Sequence, residues 1–592
     1  MLARRAVSSA VNAVKSRAPD VPSMHSSPPP ARTGTDSTPR SRRSAIALLV
    51  AFVLIWFCGI DARRLLHPDE GRYAEIPREM AASGDWVTPR LNGIKYFEKP
   101  ALQYWITAAT YDAFGVHQWT ARLWPALAGC LGVLFIGYVG LRLGGPTLGW
   151  YSAAALGGCV WWILNAHVLT LDAGLSAWMS VGMGGLILAR RADATPREQR
   201  NWMLVAWAAL ALAVLSKGLI GIVLPGAALV LYSILTRDWR VWRRLHLVKG
   251  ALLLFAIAAP WFVVVSRRNA EFFDFFFIHE HFARYLTNEA RREAPWWYFL
   301  PILAVGILPW LTLFAWTAKR SWTEAVVDRN GFCWQRFALV WAAVILVFFS
   351  FSGSKLSSYI LPMFPALALL IAWQLVTLGG ALLWRLALPL VTLTGVAWLA
   401  LLVGYDAIAA RLASDGEPVA PLYAYGPWLK AALGVGFAGG VAGMWALSRQ
   451  RRRLAVLTIA FCTLIAAQLV LTGLDTFAES RSSAPLLARV TATQGPLRSD
   501  VPFYSVHMYD QTLPYYLGRT VIQVEHPDEM AMGIASEPDK AIDTVAHWRS
   551  IWDAIQDGYA MMQPGEYETL RRDGVPMREL GRDLRRVIVS RR

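Results

Sequence analysis

The sequence predicts a polytopic α-helical membrane protein with about thirteen spans and a small α/β domain at its C-terminal end. Three observations carry this. Of 592 residues, 55% are hydrophobic and only 17% charged, with a mean hydropathy of +0.36; a soluble chain of this length needs far more polar surface. Apolar runs near the roughly 20 residues that cross hydrocarbon recur from Ala45 to Leu471. Beyond Leu471 the pattern changes to short alternating and helical stretches. The 28 tryptophans fit the same class, because indole rings favour the membrane–water boundary.

In chain order, residues 1–43 are rich in Ser, Pro and Arg and read as a disordered tail on the inner face, without a cleavable signal peptide. Residues 44–473 form the membrane domain. Its runs are Ala45–Ile60, Trp119–Leu141, Leu148–Leu164, Leu169–Ala189, Trp202–Ser216, Leu219–Leu235 and Leu247–Ser266. They continue as Trp297–Ala318, Trp334–Phe351, Tyr359–Leu378, Leu382–Gly404, Trp428–Leu447 and Ala455–Leu471. The net charge of +17 sits mostly at the ends of these runs, so it reads as membrane orientation and not as a nucleic-acid footprint. RSRR, RRADATPREQR, RDWRVWRR, AKR and SRQRRR fall on one face if the tail is cytoplasmic. Loops 61–118, 267–296, 352–358 and 405–427 then lie outside, with everything after Leu471. Ala101–Val116 is apolar but short, and Tyr111 and Asp112 interrupt it; as a span it would invert every later loop, so it reads as an interfacial helix.

The five cysteines lie in or beside apolar runs without a CxxC pair, which points away from a disulfide framework or a cysteine metal site. In residues 474–592, PFYSVHMYD, TVIQVE and RRVIVS predict strands, and DTVAHWRSIWDAIQDG predicts an amphipathic helix. This outer α/β domain has no nucleotide-binding glycine fingerprint, and its expected role is to cover or shape a membrane site.

The outer loop 61–118 holds His67, Asp69, Glu70, Arg72, Tyr73, Glu75, Arg78, Glu79, Lys95, Glu98 and Lys99. Tyr73–Glu79 predicts one or two helical turns ending near Gly84, with Asp69 and Glu70 at the positive end. Taken alone, a solvated loop with local ion pairs accounts for this equally well. Asp172, Lys217 and Lys355 change the balance, since ionisable groups at the ends of apolar runs are costly and tend to face a cavity. A lone lysine can snorkel to the interface; three such groups on one face, opposite an acidic loop, favour a shared polar cavity. In FFDFFFIHEHFARYLTNEARREAPWW, His279 and His281, with Glu98, could ligate a metal. The spacing is not a helical i, i+4 pair, so ordinary hydrogen-bonded histidines remain the alternative. The adjoining aromatic run fits lipid headgroups.

A reaction outside the cell has no nucleotide pool, so a sugar carried on a polyprenyl phosphate is the natural donor. Lys99, Lys217, Lys355 and Arg72 suit its phosphate, while carboxylates could activate an acceptor or orient the sugar. HPDEGRYAEIPREM with FEKP after it resembles the first outer loop of the polytopic lipid-dependent glycosyltransferases with the C-type fold. RYAEI, LTLDAG, LSKGLIG, EHFARYLTNEARREAPWWYFLP and SGSKLSSYILPMFPALALL resemble, in order, the bacterial 4-amino-4-deoxy-L-arabinose lipid A transferases. The match covers about residues 45–370; the long N-terminal tail departs from it.

The resemblance implies an inner-membrane enzyme moving aminoarabinose from undecaprenyl phosphate to a lipid A phosphate on the periplasmic side, which would lower attraction for cationic peptides such as polymyxin. It implies Asp69, Glu70 and Asp172 as catalytic acids. Arg72, Tyr73, Glu98, Lys99, Lys217, Arg284 and Lys355 are the expected substrate and phosphate contacts. No cofactor is required, and a divalent ion is compatible with the acids but not demanded by them. Another polyprenyl-phosphate-sugar transferase, acting on protein or on lipopolysaccharide core, is the alternative. A lipid flippase is the rival from another class, against which stands the lack of an evident inverted repeat.

Overall fold

The computed structural model describes residues 39–283, 294–324, 331–414 and 419–592. The chain divides into two units, Met1–Phe52 and Val53–Arg592. Within the first, residues 39–43 of the expected tail already belong to a helix, Pro39–Phe57.

Every predicted apolar run overlaps a helix, as it must where no water can satisfy the backbone. Eight helices among the described residues are long and apolar enough to cross a membrane, or nine if Phe299–Gly306 and Leu311–Thr323, bent by 107°, form one span. Arg43–Phe57 and Ile220–Thr236 are shorter apolar helices. The protein is therefore multi-pass, and the figure of thirteen rests on the runs more than on helix length.

Two of the runs join at a tight reversal. Gln118–Gly157 is continuous except at Gly144 and Gly145, the latter with φ +81°. A Cβ on Gly140 would lie 2.4 Å from Ser152 Oγ, although twelve residues of straight helix span roughly 18 Å. The chain thus folds back on itself, and small residues let the two arms touch. A second helical hairpin, Pro196–Lys217 and Ile220–Thr236, turns at Gly218 with φ +86°. It leaves Lys217 at its apex.

The first large loop folds on the helix Asp69–Ser83, which ends at left-handed Gly84, the predicted stop. Tyr73, Ala74, Ile76 and Met80 pack into one core with Tyr104, Ala108 and Tyr111 of the helix Leu102–Phe114. At 13 residues that helix spans about 20 Å, short of the hydrocarbon thickness of about 30 Å. Tyr111 is buried and donates to the Ala74 carbonyl at 3.2 Å, so it ties the helix to the loop.

The C-terminal segment is built around a six-stranded sheet. Its order is Ala541–Ile542, Ile522–Val524, Phe503–Val506, Tyr559–Met562, Val587–Ser590 and Arg578–Arg582. The first four strands are parallel, and Val587–Ser590 runs antiparallel to both its neighbours. One face packs on Trp548, Trp552, Tyr567 and Leu570, and the other on Leu486, Leu487 and Val490. Three predicted strands and the predicted helix are present. The sheet also contains Ala541–Ile542, Tyr559–Met562 and Arg578–Arg582, which the sequence reading left out.

This segment is bonded to the first loop. Asn92 and Val521 exchange two hydrogen bonds of 2.7 Å, and the Leu65 N–H donates to Tyr516 Oη at 2.7 Å. Beside this contact Glu79 is buried, accepting from the Gly93 N–H at 2.7 Å. Burial, then the neighbouring Glu75 carboxylate, pushes Glu79 well above the usual carboxylate range. A carboxyl held neutral in the fold stabilises it at low pH and loses that contribution as pH rises through its folded pKa. The detergent-solubilised chain should therefore melt at falling temperature as pH rises above the carboxylate range, and Glu79→Gln should flatten that slope. Equal slopes in both proteins would remove Glu79 as the cause.

Candidate active site

Helix ends bring the charged side chains together. Asp69 starts one helix, Asp172 starts another, and Lys217 ends a third. Carboxylates at the first turn and a lysine at the last are where the helix dipoles favour them. A cavity of about 450 Å³ is lined by Asp69, Arg72, Tyr73, Glu98, Lys99, Asp172 and Lys217, with Ser357, Ser358 and Tyr359 from the loop after Phe351. A second cavity of about 330 Å³ is walled by Leu175, Ile220, Val223, Leu224, Phe348, Phe349 and Pro362. Glu98, Lys99, Asp172, Lys217 and Tyr359 line both. A polar chamber and an apolar groove thus share one charged wall.

Within that wall, Asp172 is paired with Lys217 and accepts from Ser358 Oγ at 2.8 Å. The Lys217 ammonium lies 4.7 Å from the Tyr359 ring centroid. Lys99 Nζ donates to the Glu98 carbonyl at 2.7 Å and to Glu280 Oε2 at 3.0 Å. Arg72 Nη1 donates to Asp69 Oδ1 at 2.9 Å, and its other Nη meets Glu529 of the C-terminal segment. The Asp69 side chain keeps 44% of its exposure, whereas Arg72 keeps 9%. The arrangement offers cations for a phosphate at the mouth of an apolar groove and carboxylates inside the polar chamber.

Seven predicted residues therefore converge: Asp69, Arg72, Tyr73, Glu98, Lys99, Asp172 and Lys217. Glu70 does not. It is 3% exposed and lines neither cavity. Arg63 donates to it at 2.6 and 2.8 Å, Arg122 at 2.9 and 3.0 Å, and the N–H groups of Leu66 and Leu169 at 3.1 Å each. Burial alone would push its pKa up; Arg122 and Arg63 outweigh that and hold the carboxyl well below the usual range. The sequence places Glu70 among the catalytic acids; in the fold it is the shared counter-ion of Arg63 and Arg122, apart from both cavities. Lys355 is buried behind the wall, donating to the Ser352 carbonyl at 2.7 Å, and does not itself line either cavity.

Of the suggested metal ligands, Glu98 is in the wall, while the half-exposed His279 stacks on Phe275, 5.2 Å between ring centroids. The side chain of His281 and all of Arg284 lie outside the described residues. Among the described residues no three His, Cys, Asp or Glu side chains are grouped to hold a cation. Glu280, which the sequence marks beside His279, lines the apolar groove and pairs with Lys99, whereas Tyr359 and Ser358 are not marked by the sequence and Glu529 has no local signal.

Residues 42–276 match the dolichyl-phosphate-mannose-protein mannosyltransferase family, and residues 489–591 match the aminoarabinose transferase C-terminal domain. The undecaprenyl phosphate-alpha-4-amino-4-deoxy-L-arabinose arabinosyl transferase of Erwinia tasmaniensis is 30% identical over 349 residues, 57% of this chain and 60% of that protein. The second such transferase of Sodalis glossinidius is 33% identical over 347 residues, covering 58% and 61%. The matched part of the chain thus spans about three-fifths of the length of these curated relatives. Among solved structures, the crystal structure of ArnT from Cupriavidus metallidurans bound to undecaprenyl phosphate has a TM-score of 0.87 at 36% identity, covering 93% of this chain and 98% of that one. Its apo form gives 0.86 at 35%.

Proposed function

The chain belongs to the ArnT family, and on that premise we propose that it transfers 4-amino-4-deoxy-L-arabinose from undecaprenyl phosphate to a phosphate of lipid A. The observation that carries this reading is the shared wall between an apolar groove and a polar chamber. A prenyl tail fits the groove, its phosphate meets Lys99 and Lys217 at the rim, and the sugar extends into the chamber. The C-terminal match to the aminoarabinose transferase domain favours this sugar over mannose. The inner membrane, with the chamber opening to the periplasm, agrees with basic loops on the opposite face.

In this reading an acceptor phosphate oxygen attacks the anomeric carbon as the bond to the undecaprenyl phosphate oxygen breaks. A direct single displacement of this kind inverts the anomeric centre. A phosphomonoester has its second pKa at about 6 and needs little help to ionise. Asp69 therefore acts on position and charge, holding the sugar amine or Arg72, and does not abstract a proton. The harder problem is to bring two anions together, and Arg72, Lys99 and Lys217 answer it by neutralising entering and leaving phosphates. A divalent ion is not needed for any of these steps.

Mass spectrometry of lipid A from cells with and without the protein tests the reading. Loss of the aminoarabinose adduct on deletion is expected; unchanged lipid A would refute it. Lys99→Ala and Lys217→Ala should each weaken use of the donor about ten- to hundredfold, the usual cost of removing a charged contact. Titration of purified protein with undecaprenyl phosphate checks this. If neither variant changes that affinity, the phosphate sits elsewhere.

A further inference from the structure

We propose that Glu529, in the C-terminal α/β segment, is a positioning residue for Asp69 and acts through Arg72. The inference rests on the functional reading above only in treating Asp69 as the acid that faces substrate. Its basis is a continuous chain of contacts. Gln511 Nε2 donates to Glu529 Oε1 at 2.8 Å, Glu529 pairs with one Nη of Arg72, and the other Nη reaches Asp69 at 2.9 Å.

Burial gives the chain its direction. The Glu529 and Arg72 side chains are each 9% exposed, while Asp69 is 44% exposed and faces the chamber. A guanidinium is planar, so fixing one Nη in the C-terminal segment fixes where the other points. Removing one partner of a buried pair costs stability, but Arg72 keeps Asp69 as a second counter-ion, so what changes at the chamber is orientation. A second contact locks the same two elements: a Cβ on Gly71 would lie 2.5 Å from the Gln511 carbonyl carbon. The start of the Asp69 helix is thus pressed against the very residue that holds Glu529.

Glu529 therefore contributes to the chamber without lining it. If Glu529 loses its charge, Asp69 becomes the nearest replacement counter-ion for the buried guanidinium. It closes onto both Nη groups and withdraws from the chamber.

The test uses the full-length protein in detergent, with undecaprenyl phosphate-aminoarabinose as donor and lipid A as acceptor. Glu529→Gln should lower kcat roughly ten- to hundredfold, the scale on which small misplacements act, with donor KM within about twofold when assayed well below the variant's own melting temperature. Glu529→Asp should recover part of the loss. Arg72→Lys combined with Glu529→Gln should cost no more than the worse single change, as residues acting through one another do. A readout independent of turnover is carbodiimide labelling of Asp69, followed by peptide mass spectrometry, which should slow in Glu529→Gln. Wild-type kcat and labelling in Glu529→Gln would overturn the proposal, as would a loss that tracks unfolding alone. Absence of transfer by the wild-type protein would instead count against the functional reading, and the labelling would still decide the link.

Discussion

Asp69→Asn is expected to lower transfer by at least about a hundredfold, the cost typical of removing one preorganised electrostatic group, while the protein remains folded in the membrane. The residue starts the helix Asp69–Ser83 and keeps 44% of its side-chain exposure. A half-exposed ion pair contributes at most about 1 kcal/mol, and Arg72 retains Glu529 when Asp69 is neutralised. Stability should therefore be nearly untouched. What is lost is the negative charge facing the chamber, which on the proposed reading attracts the sugar amine. Steady-state transfer to lipid A and a thermal melt of the same preparation separate the two contributions. Wild-type turnover would remove Asp69 from the mechanism; a large drop in melting temperature would make it a structural residue.

Much of this site was legible in the sequence because membrane placement is a severe constraint. Asp172 and Lys217 each interrupt apolar runs, and both prove to sit at helix ends on one charged wall. Gly84 marked the end of the loop helix, and its φ of +71° shows why a glycine stands there. The adjacent acids Asp69 and Glu70 could not be told apart. Neighbours on a helix point about 100° apart, so one must face the chamber and the other the core, but the sequence does not say which. That choice is made by Arg63 and Arg122, the latter 52 positions away from Glu70. Glu529 is 457 positions beyond Arg72 by number, and only folding of the C-terminal sheet brings it near. Among the missed strands, Ala541–Ile542 is two residues long, too short to show a period.

Glu70, one residue on, should respond in the opposite way. Glu70→Gln should destabilise the protein by about 3–5 kcal/mol, the range for breaking a buried ion pair from one side. The carboxylate is the shared counter-ion of two arginines that are 4% and 1% exposed, and glutamine leaves both charges buried without it. The loss is also topological. Glu70 binds Arg63 and Leu66 after the first helix, Arg122 on the helix Gln118–Gly157, and the Leu169 N–H three residues before Asp172. Without that carboxylate, the segments carrying Asp69 and Asp172 lose this shared polar anchor. The sign with pH agrees: a carboxyl held below its ordinary range stabilises the fold above that range and loses the effect as pH falls through the folded value. At neutral pH the full contribution is present, so the deficit should appear as a reduced monodisperse fraction after solubilisation. Glu70→Gln protein that is as stable as wild type yet inactive would return Glu70 to the chemistry. If it is unstable, the two neighbouring acids divide the work, with Asp69 facing substrate and Glu70 holding together the elements that place it.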